Sequence, residues 1–299
     1  MNRLENDEFS KCHPIVGFLF FIGAIGMGAL ILHPAYVLAS IIGASVYYFL
    51  IHGSKGRKVL FYCVPVFVFL TLVNPLVNLD GEHVLTHIFG RPYTLEALLY
   101  GMVIAGMLVA MLLWAGCYNA VMTSDKFMSL FGGLIPTISM MLLMVLRLIQ
   151  NMIRKTKQIA GARKCIGRGV SENGTKKEKA VESLNVMSSL MTWALEGGII
   201  TADAMRSRGY GSGKRTNFEI FTLKKRDILL LVILGLLAAS VIVLIARGAT
   251  AADYTPVMKI EPVTGQNLFG FVCYCIFLLM PAILYLKEAL VWHISRSGI

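Results

Sequence analysis

The sequence predicts an all-α, polytopic membrane protein with about six transmembrane helices, and three observations support this prediction. The 299 residues are 56% hydrophobic and 15% charged, with a mean hydropathy of +0.69. Several apolar runs reach about 18 residues, the length of a membrane-spanning helix. One basic passage, from Arg147 to Arg226, holds 17 of the 28 Lys and Arg residues. Since Lys and Arg collect on the cytoplasmic side of membrane proteins, the net charge of +11 indicates topology rather than nucleic-acid binding.

Four spans are predicted before the basic passage, at residues 14–32, 34–51, 59–77 and 95–117. The first two are separated at His33–Pro34, because the residue before a proline leaves the helical conformation. Lys55, Arg57 and Lys58 follow the second span, so that loop is expected inside the cell. The loop of residues 78–94 has one Arg and two acids and is expected outside.

The apolar run of residues 135–149 is ambiguous, because its hydropathy alone would allow a crossing. A crossing would place the basic passage outside the cell, against the positive-inside bias. We therefore predict that the run begins a long helix, with Pro136 in its first turn, which lies against the membrane domain. A linker at residues 170–177 leads to a second amphipathic helix at about 178–206. A shorter helix is expected before them, from Thr123 to a stop at Gly132 and Gly133.

Two more spans, at residues 227–246 and 268–286, complete the predicted membrane part. The loop between them has two bases and two acids and is expected outside. Six crossings place both termini in the cytoplasm of a multi-pass cell-membrane protein. The domains are then a membrane domain at residues 1–117, cytoplasmic coupling helices at 118–226, and a second membrane part at 227–299.

Two related arginine motifs end the two amphipathic helices. The first reads Ala-Arg-Lys-Cys-Ile-Gly-Arg-Gly at residues 162–169, and the second reads Ala-Met-Arg-Ser-Arg-Gly-Tyr-Gly at residues 204–211. Arginine is permanently charged and its fork of donors matches a carboxylate, while small neighbours let a partner approach closely. The candidate docking residues for acidic partner surfaces are Ala162, Arg163, Gly167, Arg168, Gly169, Ala204, Arg206, Arg208 and Gly209. Alternatively, these arginines are only topology charges beside the membrane.

We expect no catalytic residue, cofactor or metal site in this chain. Residues 209–216 look like a phosphate-binding loop, but Arg208 replaces the first required Gly and Arg215 replaces the required Ser or Thr. Any ATP that drives the protein should therefore be bound by another subunit. His83 and His87 have the spacing of metal ligands, but a solvated surface is the favoured interpretation.

Methionines recur at helical spacing on the two amphipathic helices. They are Met140, Met141, Met144, Met152, Met187 and Met191. This spacing is typical of a packed core. The alternative is an adaptable surface for exchangeable partners, because Met is flexible and polarizable.

The chain resembles the transmembrane T component of energy-coupling factor (ECF) transporters, a family that includes permease subunits of cobalt and nickel uptake systems. The resemblance covers nearly the whole chain. It rests on the two arginine motifs, on residues 74–81 (Asn-Pro-Leu-Val-Asn-Leu-Asp-Gly), on residues 94–101 (Thr-Leu-Glu-Ala-Leu-Leu-Tyr-Gly), and on the helix entry at residues 134–148.

The resemblance implies a scaffold without catalytic activity in a vitamin or metal-ion uptake transporter. Its arginine motifs would dock into grooves on two ABC-type ATPases. Its helices would hold a small substrate-binding S component, which topples in the membrane as the ATPases close. The residues assigned to that S-component contact are Met140, Met144, Met152, Met187 and Met191. The lipid bilayer is the remaining partner, and nucleic acid is not expected.

The family motif carries over unequally to the two helix ends. Arg208 is the centre of the second motif, although Ser207 stands where Ala is expected. In the first motif, Arg163 follows Ala162 but precedes Lys164, where Gly is expected. Arg168 lies between two glycines and is the second choice after Arg163.

Two other function classes stay open at this point. A self-sufficient secondary transporter or channel would need polar groups within the spans or internal repeats. An integral membrane enzyme would need clustered acids, histidines or a nucleophile at one interface, for which Glu96, His83 and His87 are the hints.

Overall fold

A computed structural model describes residues 8–78, 83–88, 91–123, 126–127, 129–130, 136–167, 175–210, 212–213, 223–248, 250, 252–254, 259–260 and 265–297. In chain order its helices are α1 (Glu8–Lys11), α2 (Pro14–Leu30), α3 (Pro34–His52), α4 (Ser54–Val77), α5 (Leu95–Val121), α6 (Pro136–Cys165), α7 (Lys176–Ser207), α8 (Lys225–Ala246) and α9 (Gln266–Ser297). Two antiparallel hairpins pair β1 (Val84–Ile88) with β2 (Arg91–Thr94), and β3 (Ala252–Asp253) with β4 (Lys259–Ile260).

The chain divides into two compact units. The first comprises Met1–Phe127 and Phe221–Ile299, and it contains α1–α5, α8, α9 and both hairpins. The second comprises Met128–Ile220 and contains the long helices α6 and α7. The basic passage therefore folds largely as a unit of its own.

Five helices of the first unit are long and apolar enough to cross a membrane. They are α3, α4 from Gly56 onward, α5, α8, and α9 over Asn267–Glu288. The apolar helix α2 has 17 residues, which is at the lower limit of about 17 residues for a spanning helix. The prediction of an all-α, polytopic membrane protein is confirmed.

An aromatic cluster joins the helices of the first unit. The Phe20 ring lies 5.1 Å from the Phe277 ring and 5.5 Å from the Trp114 ring, measured between centroids. Phe9 of α1 packs edge-on against Phe20 at 5.3 Å. The Trp114 Nε1–H donates to Ser40 Oγ at 3.1 Å, so this buried indole is both packed and hydrogen-bonded. Helices α2, α3, α5 and α9 therefore share one core.

Helices α4 and α5 approach closely at Gly101. A Cβ atom at this position would lie 2.6 Å from Asn74 Cβ and 3.1 Å from the Thr71 carbonyl oxygen. Asn74 also accepts a hydrogen bond from the Asn78 side chain, at 3.0 Å. The described part of the first motif segment, residues 74–78, thus meets the segment of residues 94–101 at one helix crossing.

Several helices extend beyond the apolar runs that predicted them. Helix α4 begins at Ser54 rather than at residue 59, directly after Gly53, whose φ of +58° separates it from α3. Helix α9 continues to Ser297 rather than ending at residue 286. A hydropathy run ends where polar residues begin, but polar helix formers continue the backbone hydrogen bonds beyond that point. The bond from Lys11 Nζ to Glu288 Oε1, at 3.2 Å, connects this added part of α9 to α1.

The loop before α5 contains a hairpin that the sequence analysis did not predict. In this hairpin His87 pairs with Pro92, and Ile88 pairs with Arg91. His83 lies just before β1, and its Nδ1 is 2.7 Å from Oε1 of Glu96 in the first turn of α5. Glu96 is buried, and its carboxylate connects the loop to the helix because it is bonded to His83. Residues 126–127 and 129–130 are helical as expected, whereas the predicted stop at Gly132 and Gly133 lies outside the described residues.

Candidate functional site

Helices α6 and α7 carry the two arginine motifs, and both helices form as the sequence predicts. Helix α6 begins at Pro136, where a missing backbone N–H costs nothing, and runs for 30 residues to Cys165. Helix α7 begins after a capping box, in which the Thr175 hydroxyl accepts from Glu178 N at 3.4 Å and the Glu178 carboxylate accepts from Thr175 N at 3.0 Å. Lys176 and Lys177 are therefore helical, although they were predicted to lie in the linker. At about 1.5 Å per residue, α6 is about 45 Å long and α7, with 32 residues, is about 48 Å long.

An ion pair joins the end of α6 to the beginning of α7. Arg163 Nε donates to Glu182 Oε1, and Arg163 Nη2 donates to Glu182 Oε2 at 3.0 Å. The side chains are 22% and 14% exposed, respectively. This hydrogen bonding raises the pKa of the Arg163 guanidinium above its usual range. The residue favoured as the first docking contact therefore has a two-point partner within its own chain.

A second polar contact lies two turns earlier on α6. Lys155 Nζ is 5.6 Å from the centroid of the Trp193 ring on α7, which is the geometry of a cation–π interaction. Residue numbers fall along α6 as they rise along α7 in these two contacts, so the helices are antiparallel where they touch. Glu182, Lys155 and Trp193 were not predicted as part of the site, because their contacts join residues that are distant in the sequence.

The second arginine motif ends in a Schellman cap. Gly209 has a φ of +74° and donates its N–H to the Arg206 carbonyl at 3.0 Å. The Tyr210 N–H reaches back to the Met205 carbonyl, also at 3.0 Å. This pair of bonds is the usual way to end a helix at a glycine in the left-handed conformation. The predicted stop at Gly209 is thus seen in detail, while Gly211 lies outside the described residues.

Helix α6, which carries the first arginine motif, also ends at a glycine in the left-handed conformation. Gly167 has a φ of +75° and donates its N–H to the Lys164 carbonyl at 3.1 Å. Each glycine therefore lies two residues beyond the last residue of its helix, and the two ends can be compared residue by residue from that point. Arg168 and Gly169, the remaining candidates of this motif, lie outside the described residues.

Arg206 and Arg208 are exposed at the end of α7. Within the part of the chain that the structure describes, neither forms an ion pair. Arg208 occupies the position directly before Gly209, and its N–H donates to the Ala204 carbonyl at 3.1 Å. Ala162 and Ala204 are exposed as well. Their small side chains leave space for a partner beside the arginines.

The methionines of the two helices are not a single packed core. Met187 and Met191 are 64% and 61% exposed, so the core interpretation is wrong for them. They belong to an exposed apolar stripe along α7, formed by Val181, Leu184, Met187, Met191, Leu195 and Ile199. On α6, Met140 is exposed, whereas Met144 and Met152 are half-buried.

Acidic side chains of the described residues stabilise helix ends and form no metal site. Among the described residues, no group of three His, Cys, Asp or Glu side chains is placed to hold a metal ion. Two acids are buried at helix beginnings, which the sequence analysis did not predict. Asp227 accepts a hydrogen bond from Lys224 N at 3.2 Å at the start of α8, and Glu96 accepts from His83 N at 3.3 Å at the start of α5. Both carboxylates thus stabilise helix ends.

These features define a class of protein, namely a polytopic helical membrane protein that carries an additional unit of two basic helices. The particular family follows from comparison with known proteins. The chain belongs to the cobalt transport protein family CbiQ, whose profile matches residues 10–219, a range that includes both arginine motifs. A comparison with curated proteins gave no match. The protein is therefore a membrane-embedded component of a transport system, and the resemblance inferred from its motifs is confirmed.

Proposed function

We propose that the protein is the T component of an ATP-driven ECF transporter for a vitamin or metal ion. In this role it is a scaffold that couples two ABC-type ATPases to a substrate-binding S component. The observation that carries the proposal is the end of α7, where Arg206 and Arg208 are exposed beside a glycine cap. Family membership supports a transport role, and the exposed cations supply a means of attachment.

The chemistry of this end favours an acidic groove as its partner. An Arg guanidinium can donate two parallel hydrogen bonds to a carboxylate, and such bonds are stronger than those between neutral groups. The Schellman cap ends the helix directly after Arg208, so both arginines lie in its last turn. A positively charged helix end is suited to insertion between acidic side chains of another subunit.

The charge of the basic passage indicates the side of the membrane on which the second unit lies. The 17 Lys and Arg residues between Arg147 and Arg226 exceed the 6 acids of the same passage. The positive-inside bias then places the passage, and both termini, in the cytoplasm where ATP is available. The apolar helix α2 acts as the sixth crossing in this arrangement.

The apolar stripe of α7 is the proposed contact for the S component. A row of exposed Leu, Ile, Val and Met side chains on a soluble surface is costly unless another apolar surface covers it. Met187 and Met191 at its centre are adaptable side chains, suited to partners that exchange. When ATP closes the ATPase pair, the docked helix ends would move and this surface would transmit the motion to the S component.

Charge reversal at Arg208 tests the proposal. The variant R208E should retain less than about a tenth of the ATPase that the wild type retains after affinity purification in mild detergent, since like charges repel in a desolvated groove. Uptake of the substrate should fall in parallel. K157E is the matched control, because Lys157 is exposed on α6 outside both motifs. Unchanged ATPase retention and uptake in R208E would refute the proposed docking role.

A further inference from the structure

We propose that Arg163 is a positioning residue that clamps the end of α6 to α7, and that it does not dock on a partner. The inference rests on the proposed function and divides the arginines of the site into two roles. Arg208 reaches outward, whereas Arg163 holds the two helices in register. Three observations support this division.

The glycine caps show that Arg163 and Arg208 are not equivalent positions. Arg208 is one residue before Gly209, whereas Arg163 is four residues before Gly167. When the helix ends are aligned on these glycines, Arg163 corresponds to Met205. Arg163 and Met205 are also the half-buried residues of residues 161–167 and 203–209, in which the others are exposed. Both therefore occupy the inward face of their helix end.

The geometry of the ion pair opposes release of Arg163 to a partner. The Nε and Nη2 atoms of Arg163 each donate to one of the two carboxylate oxygens of Glu182. A partner that took Arg163 would have to break both hydrogen bonds to Glu182, whose side chain is only 14% exposed. Two-point bonds between charged groups are stronger than those between neutral groups, so exchanging Glu182 for a carboxylate of a partner would bring little gain.

The contact between Lys155 and Trp193 supplies a second fixed point. Lys155 and Arg163 are eight residues apart on α6, and Glu182 and Trp193 are eleven residues apart on α7. Eight and eleven residues are close to two and three helical turns, so each pair lies on one face of its helix. Two such contacts specify both the register and the antiparallel direction, as a single contact cannot.

Among the described residues of the first helix end, the exposed cation is then Lys164. Aligned on the glycines, Lys164 corresponds to Arg206, and both side chains are exposed. A clamped pair of helices would move as one body when a partner pulls at either end. Without the clamp, a displacement of one end would be absorbed by slippage between α6 and α7.

A charge swap separates the clamp from a docking role. The full-length variants R163E, E182R and R163E/E182R are purified in mild detergent, and two quantities are measured. One is the amide hydrogen exchange of residues 159–165 and 176–186 in the chain alone. The other is the amount of ATPase retained when the transporter is purified. For each single variant we expect exchange to be about three to five times faster, as for loss of a partly exposed ion pair.

The double variant should restore both the slow exchange and the retention of ATPase. Restored exchange without retained ATPase would overturn the proposal, because it would mean that an arginine is needed at position 163 for docking. Unchanged exchange in both single variants would also overturn it. Should the swap not be recovered from membranes, R163M/E182L replaces the pair by apolar contact, and loss of ATPase from that variant would again contradict the clamp. The exchange measurement does not depend on any partner, so it stays decisive even if R208E refutes the docking of α7.

Discussion

At the scale of the residue, a few side chains fix the helices where small changes in volume cannot be absorbed. Gly101 is such a position, because backbone and Asn74 together occupy the space of a Cβ atom. Protein interiors are packed as densely as organic crystals, so an added methyl group must displace its neighbours. The displaced group here would be the Thr71 carbonyl or the branch point of Asn74, neither of which is a flexible side-chain end.

The variant G101A should therefore destabilise the first unit. Overpacking of this kind costs about 1–3 kcal/mol, which lowers the thermal midpoint measured in detergent by several degrees. G235A in α8 is the control, since nothing lies within 4 Å of a Cβ atom at that position. Its midpoint should stay unchanged or rise slightly, as Ala favours helices. Equal midpoints for both variants would argue against the close approach of α4 and α5.

At the scale of the element, α7 presents different chemistry on two faces. One face carries Glu182 and Trp193, which contact α6. The other carries the exposed apolar stripe that includes Met187 and Met191. Substitutions on the two faces should consequently have separable effects, on the helix pair itself or on a partner.

The double variant M187Q/M191Q tests the partner face. Gln is similar to Met in length and helix propensity, so the fold of α7 should not change. Loss of two apolar contacts at a buried interface should lower retention of the S component at least tenfold, while ATPase retention is preserved. The control S189Q alters an exposed position of α7 outside the stripe. If S-component retention in M187Q/M191Q equals that in S189Q, the stripe is not the contact.

Prediction from the sequence succeeded where one element decides the outcome and failed where two elements meet. Hydropathy located the spans and Pro136 marked the beginning of α6, because both are local properties. The pair between Arg163 and Glu182 depends on how two helices cross, and neither residue signals the other in the sequence. The helix ends at Ser54 and Ser297 were missed because polar residues continue a helix as readily as they end a hydropathy run.

At the scale of the whole molecule, the orientation of the second unit can be measured with a native cysteine. Cys165, at the end of α6, is exposed, whereas Cys12, Cys117 and Cys273 are buried. Burial also raises the pKa of Cys12 to about 11, so its thiol stays protonated and unreactive at pH 8, although the charge of Arg226 opposes this shift. Cys165 is therefore the favoured site for a maleimide reagent.

A membrane-impermeant maleimide should leave Cys165 unlabelled in intact cells and label it after permeabilisation. The control C165S should lose that label. A second control is R247C in the C165S background. It places an exposed thiol at the end of α8 that is far from the basic passage, and it should be labelled in intact cells. Labelling of Cys165 in intact cells would place the basic passage outside, contrary to the positive-inside assignment.

The ends of helices α6 and α7 differ in their side chains, although both have a glycine cap. In the part of the chain that the structure describes, one terminus has an internal ion pair and an exposed Lys164, while the other has exposed Arg206 and Arg208. Two identical ATPase subunits that bound to the two ends would therefore contact different side chains and bind with different affinities. Any functional difference between the two ATPase subunits would then originate in this chain and not in the ATPases.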